Sequence, residues 1–276
     1  MNIFVFVLFV FSISISVILF LFLQTRPYFL GRKELENILL KNDDFYATFF
    51  PVDLEARHVS SIADYKDKIS SVVTEFSFLE KIILVVCMFR ADQKLKKIRE
   101  KYFNGEKAAQ DVEWRIGCVE GHEYEYGLPH TVGSTIIFTK EMMTDYSWTD
   151  LIDTLVHEKV HLYQKRYPED VDRYLSEKGF VAEKKRSEAD RIRANPDINQ
   201  TVYKRVYGGI KQNNNNKDDK DDKDNKDNKD KDNKDNKDKE YRMQYVSRPI
   251  NITDTIQRNH RKEHPFEEMA IDIELN

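Results

Sequence analysis

Apolar and polar positions alternate along this chain in three distinct ways, and each predicts a different element. From Ile3 to Leu23 the positions are apolar and uncharged, interrupted only by Ser12, Ser14 and Ser16. As a helix rising 1.5 Å per residue, that run reaches about 30 Å, the hydrocarbon thickness of a bilayer. No basic residue precedes it and no small-residue cleavage site follows it, so it predicts a retained single-span anchor over residues 1–24 rather than a removed signal. Residues 25–52 hold Pro27, Gly31 and Pro51 around the amphipathic stretch Lys33–Lys41, and predict a membrane-proximal linker with one short helix.

Further on, Ser77 and Glu80 have the spacing of a capping box ahead of a helical pattern from Phe78 to about Lys101. Its centre, Ile82–Phe89, is apolar all round but too short for a second span, which predicts a buried core helix. Trp114–Val119, Tyr124–Tyr126 and Ser134–Thr139 have the β-branched and aromatic content of strands, punctuated by Gly117, Gly121, Gly127, Pro129 and Gly133. A second helix starts near Ser147 and stops at about Arg166, before Pro168. Further helix is expected in 169–194, closed by Asn195-Pro196-Asp197. Residues 213–240 are almost purely Asn, Lys and Asp and have nothing to bury, so they predict a disordered insert in a surface loop of a domain spanning 53–276.

Composition narrows the picture. With 276 residues and 40% hydrophobic positions, the chain has room for one ordinary domain or two small ones. Its 44 basic against 48 acidic residues leave a formal charge of −4, which excludes a nucleic-acid binder held by bulk charge. Cys87 and Cys118 stand in no CxxC and exclude a disulfide framework; Cys87, inside the apolar helix, reads as a small buried hydrophobe. Arg26, Arg32 and Lys33 follow the anchor, and the positive-inside rule then keeps the body in the cytosol. The triplets Asn199-Gln-Thr201 and Asn251-Ile-Thr253 point to the other side, as glycosylation acceptors.

The chemistry lies in His157-Glu158-Lys-Val-His161. On a helix this spacing puts both imidazoles on one face, a turn apart, able to grip one metal ion. Neutral imidazole nitrogen is a good zinc ligand, and Glu158 on the adjoining side is placed to take a proton from a zinc-bound water. A third protein ligand must come from further along, because the residues after His161 lack the Gly and third His of metzincins. The candidate segment is His264-Pro265-Phe266-Glu267-Glu268-Met269-Ala270, where Pro265 suits the first turn of a helix.

These residues resemble the gluzincin group of zinc metallopeptidases, in which a glutamate on a later helix completes the His-Glu-x-x-His site. That glutamate usually stands three residues before a small one, so the resemblance implies Glu267, ahead of Ala270, as the third ligand. Glu268 is the alternative, since Glu268 and Asp272 match the glutamate-to-aspartate spacing of thermolysin-like members. Gly127-Leu-Pro-His130-Thr131 followed by Ile136-Ile137-Phe138 is similar to the edge strand over the cleft in this group. Arg193-x-Asn195-Pro196-Asp197 and the Pro-Phe-Glu helix resemble uncharacterised membrane-anchored zincin-like proteins of large DNA viruses. The spacer from His161 to Glu267 exceeds the common gluzincin spacing, so the third ligand rests on the local pattern.

The expectation is an α+β zincin-like domain on one N-terminal transmembrane helix, in a virion or host-cell membrane, hydrolysing peptide or protein substrates with one zinc ion. His157, His161 and Glu267 hold the metal and Glu158 is the general base. Tyr203, Tyr241, Tyr245, His260 and His264 are available to stabilise an oxyanion, although each reads more readily as structural, as does His130; Trp114 and Trp148 read as core. The rival expectation is a membrane-anchored interaction or structural protein that binds metal without turnover.

Overall fold

The computed structural model describes residues 3–206, 241–242 and 264–275, with side chains for 12–206 and 264–275. The chain opens with α1 (Ile3–Thr25), β1 (Tyr28–Phe29), α2 (Arg32–Leu40), α3 (Asp43–Tyr46), α4 (Pro51–Ala56), α5 (Ile62–Val72), β2 (Val73–Thr74) and α6 (Phe78–Leu95). Next come β3 (Arg99–Glu100), β4 (Phe103–Asn104), α7 (Gly105–Asp111), β5 (Arg115–Val119), β6 (His130–Val132), β7 (Thr135–Thr139) and α8 (Met142–Asp145). α9 (Trp148–Arg166), α10 (Pro168–Lys178), β8 (Phe180–Lys185), β9 (Thr201–Arg205), β10 (Tyr241–Arg242) and α11 (Pro265–Glu274) follow. The architecture is α+β.

β5 organises the principal sheet, pairing in parallel with β1 and β7 and antiparallel with β2, while β6 returns antiparallel to β7 at the edge. Successive strand residues point to opposite faces. Ile116, Cys118, Ile136 and Phe138 therefore join one core with α6 and α9, whereas Val119, Val132 and Ile137 join another with α2 and α5. Helices cover both faces, which explains why β5 and β7 are buried almost throughout. Gly117 permits the second layer: a Cβ there would stand 2.6 Å from Leu35 Cδ1 of α2. A smaller antiparallel sheet, β10-β9-β8, lies beyond α10 in sequence.

Several sequence expectations are revised. The stretch expected as a linker, 25–52, is part of the packed domain: β1 pairs with β5, and Leu30, Leu35, Leu39 and Tyr46 are buried. The helix from Phe78 ends at Leu95 rather than near Lys101, and Tyr124–Tyr126 forms no strand but leads into a short 3-10 turn, Glu125–Gly127. The helix expected through 169–194 stops at Lys178, where Gly179 adopts φ 75°, a left-handed cap that favours glycine; β8 follows. Trp148 is 55% exposed, whereas Trp114 is buried. Cys87 and Cys118 are both buried and free, with burial pushing each thiol up to about 12.

α1 is helical as expected, and Phe20 on it meets Phe89 of α6 edge to face, ring centroids 6.4 Å apart. Among the residues whose side chains are described, which take in α1 only from residue 12, no helix is long and apolar enough to cross a membrane. The insert 213–240 and the residues Asn251, Tyr245 and His260 lie outside the described residues, as does the side chain of Tyr241.

Candidate metal centre

α9 carries the motif and starts where its sequence says it should. The Ser147 hydroxyl accepts the Asp150 N–H at 3.2 Å and the Asp150 carboxylate accepts the Ser147 N–H at 3.3 Å, a reciprocal cap. Leu151, Leu155, Val156, Val160 and Tyr163 bury the helix against α6 and the sheet. Lys159, between the two motif histidines, is fully buried. Its Nζ bonds Asp92 of α6 at 2.6 Å and stands 4.0 Å from the Trp114 ring centroid; Trp114 Nε1–H donates to the same carboxylate at 3.0 Å. Burial pushes the lysine down to about 8 despite that partner. This pair fixes the helix that presents His157 and His161.

α11 supplies the third group. His264 caps it: Nδ1 accepts the Phe266 N–H at 3.2 Å, and Nε2 donates to the Thr201 carbonyl of β9 at 3.2 Å. Met269, Ala270 and Ile273 bury its other face, and two turns of helix place Glu267 and Glu274 along α9. Glu267 Oε2 then lies 3.3 Å from both His157 Nε2 and His161 Nε2, and the two nitrogens are 3.1 Å apart. Tetrahedral zinc with ligands at about 2.0–2.1 Å demands an edge of about 3.3 Å. His157, His161 and Glu267 thus form a group able to hold a metal ion.

Each ligand is oriented from behind. His157 Nδ1 faces Glu274 Oε2 at 3.2 Å, and His161 Nδ1 faces Gln164 Oε1 at 2.9 Å. Gln164 Nε2 donates to the Phe266 carbonyl at 2.7 Å, so its oxygen must be the atom turned to His161. Both Nδ1 atoms are consequently donors, and both Nε2 lone pairs point at the Glu267 oxygen. Three electron-rich atoms converge on a space that calls for positive charge. Burial opposes charge on His157, but the Glu267 and Glu274 carboxylates overcome it and hold that imidazole well above its ordinary value. Burial would likewise raise Glu267, yet the two imidazoles hold it well below the usual carboxylate range.

Glu158 is 2% exposed, and its Oε2 has no hydrogen-bond partner among the described residues. Burial pushes its carboxyl up to about 8, with the Asp197 carboxylate adding to the rise. A buried carboxylate oxygen left free beside His157 and His161 suits a proton acceptor rather than a structural brace.

The two candidates for third ligand are separated. Glu268 instead pairs with Arg205 at 2.5 Å and accepts from the Tyr174 hydroxyl at 3.3 Å, while Asp272 binds Lys178 at 2.8 Å. Tyr203 packs edge-on against His264, and its hydroxyl accepts from Asn199 at 2.9 Å. His130 is buried between the Leu128 carbonyl and the Tyr124 hydroxyl, in the second core. Sequence reasoning missed Gln164 and Glu274, whose helical spacing from His161 and Glu267 was the available signal. It read Asn195-Pro196-Asp197 as a helix stop and as part of a family resemblance, and gave neither Asn195 nor Asp197 a role beside Glu267. Asn195 Nδ2 donates to Glu267 Oε1 at 2.8 Å, and Asp197 accepts from the Thr131 N–H and, at 2.8 Å, the Thr131 hydroxyl on edge strand β6.

Comparison with known proteins returned no matching family model, no matching curated relative and no matching solved structure.

Proposed function

We propose that this chain is a zinc-dependent peptidase of the zincin type, with its N-terminal helix as a membrane anchor. One observation carries the reading: two imidazole nitrogens and a carboxylate oxygen converge at 3.1–3.3 Å beside a buried carboxylate with a free oxygen. His157, His161 and Glu267 hold the ion, one atom each, which suits a catalytic rather than a closed structural site. When bound, zinc supplies a Lewis acid that polarises a peptide carbonyl and makes water acidic near pH 7. Glu158 takes the proton of the attacking water and hands it to the departing amine. Gln164 and Glu274 keep the imidazoles in the tautomer that leaves Nε2 free.

The test pairs Glu158→Gln with His161→Ala in the full chain, reading zinc by elemental analysis and cleavage of a mixed peptide library. Glu158→Gln is expected to keep zinc and lose cleavage, and His161→Ala to lose both. Cleavage that survives in Glu158→Gln overturns the mechanism.

A metal-binding interaction protein without turnover is favoured by a different observation. The outward N–H of Thr131 is taken by Asp197 and its carbonyl by Lys165 at 3.1 Å, so the free edge of β6 is already occupied. A wild-type protein that holds zinc and cleaves no peptide supports that second reading.

A further inference from the structure

Glu267 presents one oxygen to the two histidines and the other to Asn195. Oε2 is 3.3 Å from His157 Nε2 and from His161 Nε2, while Oε1 accepts the Asn195 side-chain N–H at 2.8 Å. A carboxylate with both oxygens free can swing between one-atom and two-atom coordination. Engaging Oε1 from behind selects Oε2 and fixes the plane of the group.

Asn195 is held by its own loop, and its neighbour Ala194 by parts of the chain far away in sequence. Asn195 Oδ1 accepts the Asp197 N–H at 2.8 Å, and the Asn195 carbonyl accepts from Gln200 at 3.0 Å. The preceding residue is clamped at both backbone groups: Ala194 N–H donates to Asp53 at 2.6 Å, and its carbonyl accepts from Arg57 at 2.9 Å. Asp53 and Arg57 are buried, Arg57 bonds Glu125 at 2.7 Å, and Asp53 bonds Arg186 at 2.9 Å. The loop that presents the amide is therefore anchored by buried charge that never touches the metal ligands.

We infer that Asn195 is a positioning residue for Glu267, setting it as a one-oxygen ligand through a loop locked by Asp53 and Arg57. The inference rests on the metal reading proposed above.

Asn195→Ser separates this role from loop folding. A serine oxygen can still take the Asp197 N–H in a local turn but offers no donor that reaches Glu267. Zinc affinity of the full chain in lipid nanodiscs, by competition with a chromogenic chelator, is expected to fall about tenfold or more. The thermal midpoint of the chelator-treated protein is expected to stay within about 1 °C of wild type. In a Glu267→Gln background the same substitution should cause no further loss of affinity. Affinity of Asn195→Ser within twofold of a tight wild type overturns the inference. So does a fall in the metal-free midpoint that accounts for the whole loss. Wild type binding zinc no better than His157→Ala overturns the metal reading itself, a distinguishable result.

Discussion

The Nε2 atoms of His157 and His161 face one another at 3.1 Å, each ring having committed its Nδ1 to a separate acceptor, Glu274 and Gln164. Two lone pairs at that distance repel unless a cation or proton lies between them. The arrangement makes the ligand set sharply testable against its neighbours on α11.

Glu267→Gln and His157→Ala are expected to leave less than stoichiometric zinc after dialysis, because a neutral amide or a methyl replaces a donor atom. Glu268→Gln should keep full zinc, since Glu268 is engaged with Arg205 and Tyr174. That pair is partly exposed, so its loss should cost at most about 1 kcal/mol. Elemental analysis of the three variants checks it, and zinc lost only from Glu268→Gln reverses the assignment.

Metal removal should loosen α11. Glu267 and Glu274 of α11 meet α9 through the two histidines. A ligand present at a hundred times its dissociation constant adds about 2.7 kcal/mol to folding. Hydrogen exchange across 265–274 should therefore rise on chelation and recover with zinc, while α6 changes little.

The Lys159–Asp92 pair should behave as a buried charge pair. Asp92→Ala strands a buried ammonium and leaves Trp114 Nε1–H without its acceptor, and should cost about 3–5 kcal/mol in urea unfolding. The double variant Asp92→Leu with Lys159→Met removes both charges and should recover much of that loss. Equal destabilisation of single and double variants would show that the space, and not the charge, matters.

Stability should fall in acid partly through His264. Its Nδ1 must accept and its Nε2 must donate, so only the neutral ring fits, and burial pushes its value down to about 4. Above the unfolded value of about 6.5 neither state is charged and there is no penalty. Between pH 6.5 and 4 the unfolded chain binds a proton that the folded chain refuses, and stability drops by up to about 3 kcal/mol. His264→Asn can cap α11 without titrating. The difference between the two proteins at pH 7.5 and pH 4.5, read as urea midpoints, should shrink toward acid.

Local periodicity by itself determined the core of the site. His157, Glu158 and His161 lie on one helix whose cap at Ser147 and stop before Pro168 are both written in the local sequence, and i,i+4 geometry needs no tertiary information. The buried helix from Phe78 and the strands at 115–119 and 135–139 were legible for the same reason. Short-range pattern said nothing reliable about exposure: Trp148 reads as core and is open, and Lys159 reads as polar and is sealed inside. Residues 25–52 read as a linker because their apolar positions bury against α5 and the strands β5, β6 and β7, elements further along the chain. The choice of Glu267 over Glu268 was decided by the seating of α11, which turns one carboxylate to the histidines and the next to Arg205. Asn195 meets Glu267 from a loop that Asp53 and Arg57, some 140 residues earlier, hold at Ala194. Such contacts depend on two surfaces meeting in space, and a helical or strand period, which reaches only a few residues, has no means of encoding where they meet.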